Sequence, residues 1–133
     1  MSRIVLPEGW KRPRGYSNGI AASGEQIFVA GQIGWNERGE IVSDDFAEQT
    51  AQALRNVVAV LRAAGASPEH LVRMTWYVTV KQEYLAAAER VGTAYREIVG
   101  KNYPAMTLVQ VAALLEDRAK VEIEATAVIP SAG

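Results

Sequence analysis

Phe46, Thr50, Ala53, Leu54, Val57, Val58 and Leu61 recur at helical spacing, which predicts an amphipathic helix with one face turned to a core. Asp45 stands three residues before Glu48, the spacing of a capping box in which each side chain takes the other's free backbone N–H. Gly65 supplies a left-handed stop after Ala64. Ser67, Pro68 and Glu69 read as a cap and a first helical turn, and then the period changes to two. Val72, Met74, Trp76, Val78 and Val80 point one way while Arg73, Thr75, Tyr77 and Thr79 point the other, the pattern of a long strand with one apolar face. A second helix follows, with Tyr84, Leu85, Ala88, Val91, Tyr95 and Ile98 on its buried stripe and Gly100 as its stop. Strands at Ala105 to Ala113 and Lys120 to Ile129, joined around Glu116, Asp117 and Arg118, complete the chain.

Upstream of the first helix, Leu6 to Gly15 holds two prolines, two glycines and the run Lys11-Arg12-Pro13-Arg14, an extended lead-in. Apolar runs at Ile20 to Ser23 and Gln26 to Ala30 flank Ser23-Gly24-Glu25, which predicts a hairpin. Asn36-Glu37-Arg38-Gly39 is a second turn. Two helices cover one face of a sheet, so the order of elements predicts a two-layer α+β domain. On the strand from Ala105, Met106 and Leu108 alternate with Thr107, Val109 and Val111, which makes both faces largely apolar. Both then need cover, and with the helices used on one side a further copy of the chain is the simplest second cover.

Composition narrows the class without choosing a function. A chain of 133 residues that is 49% hydrophobic can build one core, so residues 1–133 read as a single domain. Fourteen basic and fifteen acidic residues nearly cancel, which argues against a nucleic-acid or anionic-membrane partner. Cysteine is absent, so disulfides and thiolate metal sites are excluded. No apolar run approaches the ~20 residues that span a bilayer, and Met1 to Pro7 lacks a secretory signal; the expectation is a soluble cytoplasmic protein.

Several segments in order carry a resemblance: Gly15-Tyr16-Ser17-Asn18, Ile27 through Ile33, Gln49 through Val57, Ala63-Ala64-Gly65, Tyr103-Pro104-Ala105 and Val121-Glu122-Ile123-Glu124-Ala125. Together they resemble the Rid family, also called YjgF or endoribonuclease L-PSP, over nearly the whole chain. The resemblance implies a chorismate-mutase-like fold with a mixed six-stranded sheet and two helices on one face. It also implies a homotrimer with three inter-subunit clefts, each taking a small molecule and calling for no cofactor or metal. For active members it implies hydrolysis of enamines or imines to a ketone and ammonia.

Carried over by the resemblance, Glu122 is the catalytic carboxylate that positions the attacking water. Tyr16, Ala30, Gly31, Met106, Thr107, Leu108 and Glu124 line the substrate cleft. Three positions depart from the family pattern. Ala30 stands where serine is common, Gly92 where some members hold asparagine, and Met106 where deaminases carry an arginine for the substrate carboxylate. Loss of that charge-assisted contact costs a 2-imino acid roughly 2–5 kcal/mol. The implied cleft is an acid-bearing apolar hollow without a cationic anchor, with Glu122 on the same side as Met106 and Leu108. It suits a larger, aromatic or less charged metabolite. A carboxylate there can move protons between water and an imine nitrogen.

Other readings stay open. Glu122 and Glu124 also fit a solvated strand face, Met106 fits core filling, and Trp76 belongs to an apolar stripe and reads as core. A non-catalytic, metabolite-binding or regulatory relative would keep the same cleft. Gly15-Tyr16-Ser17-Asn18-Gly19 matches the Gly-x-Ser-x-Gly pattern, but lacks the strand before and helix after that a nucleophile elbow requires. His70 is the one histidine and reads as the end of a turn. The family's older name carries an endoribonuclease or translation-inhibitor reading. No histidine pair or lysine–histidine constellation supports acid–base cleavage of RNA.

Overall fold

A four-stranded mixed sheet with helices on one side forms the body of the protein in the computed structural model, which describes residues 2–131. In chain order the elements are β1 (Ser2–Val5), β2 (Gly19–Ala22), β3 (Glu25–Gln32), α1 (Phe46–Ala63), a 3-10 turn (Pro68–His70), β4 (Leu71–Val78), α2 (Lys81–Ala86), α3 (Ala88–Ile98), β5 (Ala105–Gln110) and β6 (Val121–Ile129). The sheet order is β3-β6-β4-β5; β4 and β5 are parallel and the other pairs antiparallel. Among the described residues no helix is long and apolar enough to cross a membrane.

Helix α1 forms where the periodicity predicts it. The Asp45 side chain accepts from the Glu48 N–H at 2.9 Å. The reciprocal arm of the box is taken by Ser43, whose hydroxyl accepts from the Asp45 N–H and donates to the Glu48 carboxylate. Gly65, at φ +82°, ends the helix. Leu54, Val57 and Leu61 are fully buried, each stabilising the fold by about 1.5–3 kcal/mol. A cap contributes about 1 kcal/mol, so packing on the sheet decides that α1 persists.

The expected second helix is two helices. At Ala87 the backbone opens to φ −99°, ψ 6°, and its N–H is shared between the Glu83 and Tyr84 carbonyls. The bend carries Leu85 out of the buried stripe to 53% exposure, while Val91 and Tyr95 stay buried. Tyr84 meets the edge of Phe46 with ring centroids 6.2 Å apart.

Strand pairing departs from the expectation at three places. β2 pairs with β1 and β3 pairs with β6, so Ser23-Gly24-Glu25 is no hairpin turn. Gly24, at φ +144°, instead lets the chain pass against the Ile129 carbonyl, where a Cβ has no room. The six strands accordingly divide into a two-stranded and a four-stranded sheet. β5 also ends at Gln110 rather than Ala113.

Register decides what each sheet face carries. Met74 pairs with Met106 and Trp76 with Leu108, which puts Met106 and Leu108 on the helix side, packed against the core. Val121, Ile123, Ala125 and Ala127 share that side and are buried. The opposite face carries Arg73, Thr75, Tyr77, Glu122, Glu124 and Thr126 across its centre, with Phe28 and Val109 toward its edges. Glu122 and Met106 therefore lie on opposite faces of the sheet. The uncovered face is more polar than the apolar alternation implied, because charged and hydroxyl side chains of β4 and β6 line up across the strands.

Candidate functional site

A β-bulge organises the acidic end of the open face. Val29 pairs with Ala125 and Gln32 with Ile123, so Ala30 and Gly31 together face the single residue Glu124. The bulge brings the Gly31 backbone under the side chain of Glu122, and a Cβ built on Gly31 would stand 2.7 Å from the Glu122 carboxyl carbon. Only glycine leaves that carboxylate its position. Glu122 is half-buried and has no hydrogen-bond or ion-pair partner among the described side chains, so its oxygens remain free acceptors.

Glu124 is committed differently. It accepts a hydrogen bond from the Tyr77 hydroxyl. That bond, then burial, then the charges of Glu124 and Glu122 push the Tyr77 phenol above its ordinary value, and Tyr77 keeps its proton as a donor. Phe28, Arg73, Thr75 and Thr126 complete a shallow hollow of about 310 Å³ around this pair. Arg73 makes no ion pair among the described residues, so the hollow has an unpaired cation at its margin.

The fold places the expected site residues in three groups. Glu122, Glu124, Ala30 and Gly31 come together around the bulge, and Thr107 stands on the same open face, in register with Thr75. Met106 and Leu108 lie on the opposite face of β5. Tyr16 stands 42% exposed beyond the start of β5, where Ser17 bridges to Ala105. Ser17 is fixed there by its hydroxyl, which donates to the Tyr103 carbonyl at 2.6 Å, and by its N–H on the Pro104 carbonyl.

Tyr77, Arg73 and Thr75, which the resemblance does not single out, stand on the same open face as Glu122 and Glu124. Alternation along β4 had already put them on the far side from its apolar stripe, which was the available signal. His70 serves the 3-10 turn, where its Nδ1 accepts from the Ser67 N–H at 3.1 Å. Trp76 is buried in the core. Gly92 lies within α3, where an added Cβ would touch only the end of the Arg96 side chain. Among the described residues no three histidine, aspartate or glutamate side chains converge as a metal site would need.

A family model described as endoribonuclease L-PSP matches residues 10–129. The chain is 36% identical to a RutC family protein of Pyrococcus horikoshii over 129 residues, covering 96% of this chain and 98% of that relative. It is 34% identical to the 2-iminobutanoate/2-iminopropanoate deaminase of Homo sapiens over 103 residues, 77% of this chain and 72% of the relative. Among solved structures it is similar to YyfB of Yersinia pestis, described as a protein of unknown function of the conserved Rid family. That match has a TM-score of 0.84 and 34% identity, and covers 96% of this chain and 98% of the other.

Proposed function

The chain belongs to the endoribonuclease L-PSP family, also known as Rid, and from that premise we propose that it hydrolyses an enamine or imine to a carbonyl compound and ammonia. The observation that carries this reading is the Glu122 carboxylate, held over Gly31 with its oxygens free. Water bound there loses a proton to Glu122 as its oxygen adds to the imine carbon, the general-base role a positioned carboxylate performs. The imine nitrogen then takes up protons and leaves as ammonia, and the carbonyl forms.

The division of residues between two sheet faces supports a cleft shared by copies of the chain. Glu122, Tyr77 and Glu124 face away from the helices, whereas Met106 and Leu108 lie on the helix side. One substrate meets both groups only where two protomers adjoin, which fits a homotrimer with a small-molecule cleft at each junction. Met106 gives that cleft an uncharged wall where an arginine would hold a carboxylate. The small 2-imino acids in the human relative's name are therefore poorer substrates here than larger, aromatic or less charged imines.

Ammonia release from imines generated in solution tests the reading. Glu122→Gln should lower turnover by about 10²–10⁴-fold, with an unchanged melting temperature and intact ligand binding. Equal turnover by the variant would falsify the assignment of Glu122. A wild-type protein that binds an aromatic imine analogue but releases no ammonia would instead mark a non-catalytic metabolite-binding relative. The endoribonuclease reading has no comparable observation behind it, since the one histidine, His70, is engaged in its own turn.

A further inference from the structure

A second concavity, of about 620 Å³, lies at the start of β5 between β1, the arm at residues 12–18 and Lys101 to Tyr103. Its size is that of a small-molecule site. Arg12, Arg14 and Lys101 contribute to its wall, and no acidic side chain does. None of the three is held in an ion pair among the described residues. Three unpaired cations around one hollow, in a chain whose overall charge nearly cancels, make a local positive field that an anion would neutralise.

The rest of the wall mixes apolar and polar side chains, with Ile4, Val5 and Leu6 beside Ser17, Asn18 and Asn102. Tyr103 stacks on Tyr95 with ring centroids 5.4 Å apart and planes 12° from parallel, and the Tyr95 hydroxyl donates to the Asn102 carbonyl at 2.6 Å. The Asn102 amide in turn donates to the Pro68 and Leu71 carbonyls. On the arm side, Gly15 at φ +80° turns the chain between Arg14 and Tyr16, and Ser17 fastens it to the Tyr103 carbonyl. The groove thus joins an aromatic floor to a cationic rim on a hydrogen-bonded frame.

It is also distant from Glu122 within one protomer. Glu122 is level with Val109 through Tyr77, four residues along β5 from Ala105 and two strands across the sheet. Strand spacing and rise place the two regions roughly 16 Å apart.

We propose that this groove is a binding site for a small ligand with an oxyanion head, carboxylate or phosphate monoester, on an aromatic or apolar body. The head lies against Arg12, Arg14 and Lys101, where guanidinium groups bind such oxyanions in bidentate fashion. The body lies over Tyr103. The site stands whether or not Glu122 turns over an imine.

Titration of the full-length protein with phenylpyruvate, phenyl phosphate and uncharged phenylacetone, followed by calorimetry and amide NMR shifts, tests it. Expected are shifts at Tyr16, Lys101 and Asn102 and affinity that falls with added salt. Phenylacetone should bind at least about tenfold more weakly, the worth of one charge-assisted contact. The tighter of the two anions identifies the head group. Arg12→Gln with Arg14→Gln should weaken binding about tenfold or more, and Lys101→Gln should weaken it on an independent element. Equal affinity for phenylacetone, or unaltered binding in both cation variants, would overturn the proposal. Displacement of the aryl anions by a decauridylate that binds more tightly would also overturn it, in favour of a nucleic-acid contact.

Discussion

The carboxylate of Glu122 fills the space that a side chain on Gly31 would need, and the two residues belong to neighbouring strands brought into contact by a bulge. The glycine is thus a condition of the acid's position. Without a Cβ at residue 31, the carboxylate rests over the backbone of β3 instead of being turned away from it.

Gly31→Ala separates position from presence. The obstacle the new Cβ meets is the end of a side chain rather than backbone, so the fold gives way cheaply by moving Glu122. A 1 Å displacement of a catalytic group can cost about 10²-fold. Ammonia release should fall by about that factor while the urea midpoint shifts little. A variant with full activity would show that Glu122 does its work from another position, or does none.

Gln49 holds the start of β6 in place. Fully buried, its amide nitrogen donates to the Ser43 carbonyl at 2.8 Å and the Arg118 carbonyl at 3.1 Å, and its oxygen accepts from the Lys120 N–H at 2.8 Å. Gln49→Leu leaves three backbone groups without that partner, at about 1–3 kcal/mol for each that stays dry. A loss of about 3 kcal/mol or more is expected in urea denaturation. Since Lys120 lies two residues before Glu122, turnover should fall as well. A loss under about 1 kcal/mol would mean that water replaces the amide.

Asp45 gives stability a pH dependence with a defined sign. The Arg90 guanidinium, then the Glu48 N–H, hold its carboxyl below the ordinary 3.8. A depressed folded-state value means a contribution fully present above about 3.8 and lost as pH falls through the folded value. Asp45→Ala removes the cap of α1 and should cost about 1 kcal/mol at pH 7. The gap between variant and wild type should narrow in urea titrations carried below pH 3. A gap that stays constant would place the contribution in packing rather than in the charge.

Helix α1 and strand β4 were legible from residues alone because their determinants are local. Asp45 and Glu48 are one turn apart, Gly65 meets the last turn directly, and Met74, Trp76 and Val78 alternate within one segment. The bend at Ala87 was not legible. Nothing in the composition of residues 81–98 breaks a helix there, and what separates α2 from α3 is a change of backbone angles within a run of good helix formers.

The same division holds for the candidate site. Residue order alone says which residues alternate, where α1 begins and stops, and that two carboxylates fall two apart at Glu122 and Glu124. Tertiary structure decided that β2 joins β1, that Met106 turns toward the helices, and that a bulge puts Gly31 beneath Glu122. A period of two sorts side chains into two sets but gives neither set a direction; only pairing with a distant strand does.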